Sequence, residues 1–146
     1  MKKFAVEELL PHSGRMVLLN RVIEFDEEYM VAEVIVHDDG LFGDGNTVPA
    51  WLGIEYMAQT IAALGGIKRR LAGKSPKPGF LLGTRRYDCN VALFTVGSVL
   101  TVSVKRFVED QGLEVFDCRI KAEGISASAK LNVYQPDSAV NRVITK

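Results

Sequence analysis

The hydrophobic pattern at the start of the chain predicts two strands followed by a loop. Residues 16–26 and 29–37 are apolar, β-branched segments, and the short acidic turn between them predicts a hairpin. Residues 38–46 contain three glycines and three aspartates, a composition typical of a loop. The chain therefore begins with β structure and reaches a polar, glycine-rich connection before its next element.

One long apolar helix is predicted over residues 49–72, where the pattern changes. Pro49 suits the first helical position because its missing N–H costs nothing there. The cations at positions 68–70 suit the C-terminal end of the helix dipole, and Gly73 suits a left-handed stop. Apolar residues cover nearly every side of this helix, so we expect other elements to surround it.

Apolar and polar residues alternate over the last third of the chain, with the period of two that indicates half-buried strands. The alternating segments cover residues 100–105, 116–122 and 125–133. The breaks at 110–112 and 123–124 are short enough for hairpin turns, which predicts an antiparallel meander. Together the elements predict a single α+β domain spanning the whole chain, with an antiparallel sheet curled around one central helix.

Composition and charge narrow the class of protein. The 146 residues fit one domain, and 18 basic against 18 acidic residues give zero net charge. A general nucleic-acid binder needs a basic excess, so we expect no nucleic-acid partner. The longest uncharged stretch, residues 89–104, is too short and too polar to cross a bilayer. Glu7 and Glu8 interrupt any signal-peptide core, and the two cysteines have no metal-binding spacing, which favours a cytoplasmic protein without a metal site.

Glu55 is the candidate catalytic residue, because no other charged side chain occurs in the helix before Lys68. A carboxylate among apolar neighbours is partly desolvated, which disfavours its charged form and suits it to acid–base catalysis. Gln59 lies four residues later on the same helical face, within reach of a hydrogen bond that orients the carboxylate. The alternative is a solvent-facing Glu that only stabilises the helix dipole.

The start of the helix is a second candidate feature, since its first N–H groups have no intrahelical partner. Pro49 has no N–H, which leaves the donors from Ala50 to Gly53. Such donors can hold an anion or polarise a carbonyl group, as an oxyanion hole does. Every helix begins in this way, so the feature is weak evidence on its own.

The two histidines are further candidates, although neither is linked to Glu55 by its spacing. His12 precedes the first strand, where a structural role in a turn is the simpler interpretation. His37 ends the second predicted strand just before the glycine-rich loop. It either reaches the active region or lies solvated at the end of the strand. No serine or cysteine lies in a nucleophile motif.

Basic residues form a local excess between positions 68 and 86 of this neutral chain. The excess suits an acidic protein partner or a phosphate-bearing arm, and an ordinary solvated helix end followed by a loop explains it equally well. Its members are Lys68, Arg69, Arg70, Lys74, Lys77, Arg85 and Arg86.

Three segments carry a family resemblance: LPHSGRMVLLNRVIEF, GIEYMAQTIAALGG and FLLGTRRYDCNVALFTVGSVLTVSV. The second is similar to LxxEAMAQ, the central-helix signature of the hotdog-fold FabZ/FabA-type 3-hydroxyacyl-[acyl-carrier-protein] dehydratases. The first resembles the opening of these enzymes, and the third resembles the segment after their helix. The segment VPAWLGIEYMAQ is most similar to the ApeP-like branch, which is linked to aryl polyene synthesis.

The resemblance implies a hotdog fold and a set of site residues. In this family one subunit supplies a histidine from an HFPG loop and the other supplies the helix carboxylate, a role that falls to Glu55. Leu41 stands at the histidine position, and Ala50 stands where the family usually has glycine. A histidine, if the reaction requires one, must therefore come from His12, His37 or a partner subunit.

The resemblance also implies partners. Substrates are carried as thioesters on the phosphopantetheine arm of an acyl carrier protein, so no other cofactor is expected. Backbone N–H groups near Ala50 and Trp51 would polarise the thioester carbonyl, and Arg85 and Arg86 would lie on the substrate-binding side with Leu41. The family forms dimers, which implies a homodimer, a higher oligomer or a heterodimer with a paralogous dehydratase.

The aromatic residues Trp51 and Tyr56 support an oligomer independently, because a domain this small has little apolar cover to offer them. We therefore expect an interface of more than ~1,000 Å².

Loss of water from a 3-hydroxyacyl thioester is the predicted reaction, and two other functions stay open. A hotdog thioesterase would use Glu55 to activate water, with Asn46 near the start of the helix. A non-catalytic subunit would keep the fold while a paralogue performs the chemistry, which the replacement of the histidine by Leu41 favours.

Overall fold

The computed structural model describes residues 5–10, 17–38, 40, 42–74 and 80–134, and its main feature is one helix against a large antiparallel sheet. The sheet has six strands in the order β1-β2-β6-β7-β8-β4, and a second sheet pairs β3 with β5. In chain order the elements are α1 (Val6–Leu9), β1 (Arg21–Phe25), β2 (Tyr29–Ile35), β3 (Thr47–Pro49), α2 (Leu52–Leu71), β4 (Phe80–Cys89), β5 (Leu93–Thr95), β6 (Val99–Asp110), β7 (Leu113–Ala122) and β8 (Ile125–Tyr134).

The core lies between α2 and the inner face of the six-stranded sheet, as the all-round apolar helix predicts. Each fully buried aliphatic side chain contributes about 1.5–3 kcal/mol to stability. Gly66 lets α1 close a further side of the helix, because a Cβ there would collide with the backbone carbonyl of Leu9. The predicted α+β arrangement is confirmed. The largest buried aliphatic side chains are Leu9 from α1, Met57, Ile61, Leu64 and Ile67 from α2, and Met30, Leu100, Ile120 and Leu131 from the sheet.

Helix α2 ends as the sequence predicts. Gly73 adopts a left-handed φ of 76°, and its N–H donates to the Arg70 carbonyl at 3.0 Å. The Lys74 N–H donates to the Arg69 carbonyl at 2.7 Å, which completes a Schellman motif. Among the described residues, no helix has the length and apolar character that crossing a membrane requires.

The start of α2 differs from the prediction. Pro49 is not the first helical residue: it ends β3, opposite Leu93, and the helix begins at Leu52. The short strand continues to pair beyond the proline, since the Ala50 N–H donates to the Ala92 carbonyl at 3.0 Å. Pairing with β5 therefore keeps residues 47–49 extended and outweighs the fit of proline to a first helical turn.

The predicted hairpin and meander are both confirmed. Strands β1 and β2 pair antiparallel, although β1 begins at Arg21, later than the apolar pattern at residue 16 suggests. Strands β6, β7 and β8 pair in sequence. Gln111 and Gly112 have φ values of 52° and 87°, as a tight turn between two twisted strands requires.

Candidate active site

Glu55 is held by a chain of two hydrogen bonds at the start of α2. The amide nitrogen Nε2 of Gln59 donates to Oε2 of Glu55 at 2.9 Å. The amide oxygen Oε1 of Gln59 accepts from the backbone N–H of Leu18 at 2.8 Å. Gln59 is only 1% exposed, whereas Glu55 is partly buried. The hydrogen bond predicted from the four-residue spacing is present, and it restrains the partly buried carboxylate.

The backbone donors at the start of α2 are fewer than predicted. The N–H of Ala50 donates to Ala92, and the N–H of Gly53 donates to the Ala50 carbonyl at 3.0 Å. Both groups are therefore unavailable to a substrate carbonyl, which corrects that part of the prediction. Within the described part of the chain, the N–H groups of Trp51 and Leu52 donate to no acceptor. These two N–H groups are the donors that remain at the start of the helix.

An exposed aromatic pair lies beside these donors. The rings of Phe42 and Trp51 meet edge to face with centroids 5.0 Å apart. Phe42 is 54% exposed and Trp51 is 51% exposed. Tyr56, which the sequence also left in need of cover, is 2% exposed and stacks on Phe94 inside the fold, so the expectation for this residue was wrong. The apolar surface near the site comes from the Phe42–Trp51 pair.

The loop before β3 is organised by Asp38. Its two carboxylate oxygens accept the N–H groups of Gly40 at 2.8 Å and Gly45 at 2.6 Å. Gly43 packs so closely on this carboxylate that it has no room for a side chain. The described part of this loop is thus folded around its own aspartate. Leu41 lies outside the described residues, so its predicted place opposite a partner's carboxylate stays a prediction.

The structure describes only one of the two candidate histidines. His12 lies outside the described residues, and its proposed role stays a prediction. His37 is exposed just after β2, where Val36 pairs with Gly97 and Ser98 of the turn before β6. This position fits the solvated strand end that the sequence left open, and its role as a proton carrier stays a prediction.

The basic residues that form one excess in the sequence divide into two groups in the structure. Arg85 and Arg86 are exposed on β4, next to Tyr87, which contacts the start of α2. Lys68 is in the last turn of α2, about 20 Å beyond Glu55 along the helix axis at 1.5 Å per residue. Among the basic residues that the structure describes, only the two arginines of β4 adjoin a residue that contacts the start of α2. Lys77 lies outside the described residues.

Tyr87 and Leu18 are site residues that the sequence reasoning missed. Tyr87 donates its phenol O–H to the Ala50 carbonyl at 2.5 Å, and Leu18 provides the N–H that orients Gln59. Leu18 acts through its backbone, which no side-chain motif reveals. Tyr87 interrupts a run of polar residues in β4, and this aromatic residue was the feature of the sequence that could have indicated a contact with the helix. The described residues include no group of three or more His, Cys, Asp or Glu side chains arranged to hold a metal ion.

Comparisons with known proteins place this geometry in a family. The chain is 32% identical to a chain of the dehydratase heterocomplex ApeI:P from Xenorhabdus doucetiae, with a TM-score of 0.84 and coverage of 99% of this chain and 100% of that chain. It is 26% identical over 137 residues to a 3-hydroxyacyl-[acyl-carrier-protein] dehydratase FabZ from Acinetobacter baylyi, covering 88% of this chain and 90% of that protein.

A more distant structure extends the likeness of fold. The PaaI protein of Escherichia coli is 13% identical, with a TM-score of 0.59 over 78% of this chain and 81% of that one. This likeness shows the fold alone, and it agrees with the predicted hotdog architecture. The family model described as ApeP dehydratase matches residues 4–145. The chain therefore belongs to the ApeP-like family of hotdog-fold, FabZ-like dehydratases.

Proposed function

We propose that this chain is the carboxylate-bearing subunit of a dehydratase that converts a carrier-bound 3-hydroxyacyl thioester to a 2-enoyl thioester and water. The observation that carries this proposal is the hydrogen-bond chain from Leu18 through Gln59 to Glu55. It holds a partly buried carboxyl group in one orientation, one turn after two open N–H donors. A general acid placed in this way transfers a proton without first having to be ordered.

Each step of the reaction has a group assigned to it in this proposal. A base removes the proton from C2 of the substrate, and the C3 hydroxyl leaves as water after taking a proton from Glu55. Negative charge develops on the thioester oxygen, where the N–H groups of Trp51 and Leu52 donate. Gln59 touches neither substrate carbon and acts as a positioning residue for Glu55.

The base is a histidine of a second, paralogous hotdog subunit in this proposal. The leucine at position 41 cannot take up a proton, and His37 is exposed beyond the end of β2. The relative of known structure belongs to a heterocomplex, which supports pairing of two different chains. The exposed Phe42–Trp51 pair, one helical turn before Glu55, offers apolar surface for that subunit.

An acyl carrier protein delivers the substrate in this proposal. The FabZ relative is named for substrates on such a carrier, and Arg85 and Arg86 expose two positive charges near the start of α2. Guanidinium groups suit both an acidic carrier surface and the phosphate of its arm. The phosphopantetheine that carries the substrate is the only prosthetic group that these proton transfers require.

The test is a mass measurement on carrier-bound substrates. The chain, alone and mixed with a histidine-bearing FabZ-like subunit, is incubated with a 3-hydroxyacyl and a saturated acyl carrier protein. Loss of the mass of one water, much faster in the mixture, is the expected result. Loss of the whole acyl group from both substrates would instead identify a thioesterase.

Glu55→Gln in the mixture decides whether this chain takes part in the chemistry. Glu27→Gln is the matched control, because Glu27 is an exposed carboxylate in the turn between β1 and β2. If the mixture dehydrates as fast with Glu55→Gln as with the control, the chain is a non-catalytic partner.

A further inference from the structure

Tyr87 reaches the start of α2 because of the second of two register shifts between β4 and β8, which lies between Arg85 and Asp88. Arg85 pairs with Lys130 and Asp88 pairs with Ser128, so two residues of β4 lie opposite the single Ala129 of β8. Without this β-bulge, the alternation of side chains would turn Tyr87 to the outer face of the sheet. The bulge therefore directs the phenol inward, toward the helix.

The bulge has a conformational cost. Arg86 adopts a φ of 58°, in the left-handed region that is unfavourable for a residue with a Cβ. The Tyr87 phenol, which the bulge directs inward, donates to the carbonyl oxygen of Ala50 at 2.5 Å. Burial, followed by the adjacent Cys89 thiol, raises the pKa of the Tyr87 phenol, which keeps it protonated and able to donate.

Gly53 leaves the space that the Tyr87 phenol occupies. A Cβ at Gly53 would overlap the Tyr87 hydroxyl oxygen and come within 2.9 Å of Ile120 Cδ1. Glycine is a poor helix former, so its place in the first turn of α2 is explained by the space that Tyr87 needs. The bulge, the phenol and the missing side chain together form one arrangement directed at one carbonyl group.

That carbonyl belongs to the same peptide group as the Trp51 N–H. A hydrogen bond to the oxygen of a peptide group polarises it and strengthens its N–H as a donor. We propose that Tyr87 is a positioning residue of the dehydration site, which fixes and polarises the Ala50–Trp51 peptide group so that the Trp51 N–H binds the thioester oxygen in the transition state. This inference rests on the proposed function and adds to it a residue that touches no substrate.

Tyr87→Phe is the test, with Tyr29→Phe as the matched control. The control also removes a phenol that interacts with a neighbouring group, the Glu24 carboxylate at the other edge of the sheet. In the dehydratase mixture, we expect Tyr87→Phe to lower kcat about tenfold with KM changed less than twofold, since it weakens a transition-state donor without removing it. Tyr29→Phe is expected to leave both constants unchanged.

NMR of the chain provides a readout that does not depend on activity. The carbonyl ¹³C resonance of Ala50 and the amide resonance of Trp51 should both move in Tyr87→Phe and stay in place in Tyr29→Phe. Unmoved resonances, or a wild-type kcat in Tyr87→Phe, would overturn the inference. If the wild-type mixture does not dehydrate, the proposed function fails and the catalytic role of Tyr87 fails with it, while the NMR shifts still decide whether the hydrogen bond exists.

Gly53→Ala tests the same arrangement from the opposite side. Its Cβ should displace the phenol and lower kcat as Tyr87→Phe does, with melting temperatures recorded to show that both variants fold. In the double variant, the second change should lower kcat less than it does alone, because the phenol oxygen, the nearest of the atoms that the added methyl group would meet, is already absent. Fully additive losses of kcat would contradict a shared mechanism.

Discussion

Gln59 connects Glu55 to the strand-entry segment at Leu18 through the two ends of one side-chain amide. The Leu18 N–H is a donor, so the amide oxygen must face it and the amide nitrogen must face the carboxylate. The side chain is buried, so water does not compete for these two hydrogen bonds. The orientation of Glu55 is therefore set by the backbone of a distant segment, and this arrangement leads to two predictions.

Replacing the proton carrier should remove activity without affecting the fold. Glu55→Gln retains an oxygen that accepts the Gln59 N–H at the same place, and it has no proton to exchange. We expect kcat to fall by about 10²- to 10⁴-fold, the usual contribution of a general acid or base. Thermal unfolding should stay close to that of the parent chain. Activity equal to the parent's in the purified dehydratase mixture would show that the catalytic assignment is wrong.

Two variants of Gln59 should separate its two hydrogen bonds. Gln59→Ala leaves the Leu18 N–H unpaired, which we expect to lower the free energy of unfolding by about 1–3 kcal/mol. Gln59→Glu retains an acceptor for the Leu18 N–H but places a second, buried carboxyl group against Glu55, so it should also be less stable than the parent, and increasingly so as pH rises. Both should lower kcat. Urea denaturation and steady-state kinetics measure the two effects, and a wild-type kcat in Gln59→Glu would exclude a positioning role.

Asp44, in the loop before β3, should make the stability of the fold depend on pH in the acid range. The N–H groups of Thr47 and Asn46 and the Thr47 hydroxyl donate to this carboxylate and hold its pKa below the ordinary value of 3.8. A lowered folded-state pKa stabilises the fold above that ordinary value, and the stabilisation is lost as pH falls through the lowered value. Asp44→Asn should therefore lower the melting temperature at pH 7, and the difference should disappear in strong acid. A difference that is constant across pH would contradict this assignment.

The aromatic pair beside the site should contribute to subunit association. Trp51 and Phe42 are each about half exposed, so a partner subunit can still bury a large apolar area there. Trp51→Ser is expected to weaken association by at least tenfold, measured by analytical ultracentrifugation over a range of concentrations. Leu71→Ser is the control, since Leu71 is 59% exposed at the opposite end of α2. Equal loss of association in both variants would remove the pair from the interface.

The sequence predicts those parts of the fold that depend on local patterns. The meander follows from its period of two and its turn residues, and the helix follows from its apolar face and Gly73. Pro49 was misplaced because the pairing of β3 with β5 joins segments far apart in sequence. Glu114 likewise has an inward, buried position that its charge does not suggest, and Arg106 pairs with it at 2.8 Å only because β6 and β7 are neighbours.

The candidate site shows the same division. The Glu55–Gln59 pair is one turn of a helix, and its spacing predicts the contact correctly. The Tyr87 contact requires a bulge in β4, its register against β8 and a glycine in α2, none of which a single segment encodes. The basic residues show the converse error, since one excess in the sequence divides between the last turn of α2 and strand β4 beside the start of that helix. Contacts within one element or across a short turn are predictable from the local pattern, and contacts between segments distant in sequence are not.

Placing a histidine at position 41 is the strictest test of the proposal that one subunit supplies the carboxyl group and the other supplies the histidine. Leu41 lies outside the described residues, and its neighbour Phe42 contacts Trp51 one turn before Glu55. Leu41→His should raise the dehydration rate of the chain assayed without its partner, within the roughly 10²- to 10⁴-fold range that a general base supplies. The gain should appear as pH rises through about 6.5, because only the neutral imidazole can accept the C2 proton.

Leu41→Gln is the matched control for that experiment, because glutamine adds a polar side chain that does not titrate in this range. A gain in both variants would indicate a change in loop structure rather than a new base. A gain in Leu41→His that survives Glu55→Gln would show that the two groups do not act as a pair. If the unmodified chain alone already matches the rate of the mixture, another residue performs the role of the missing histidine. Phenylalanine replacements of His12 and His37 would then identify it, since each removes one imidazole and keeps a planar ring.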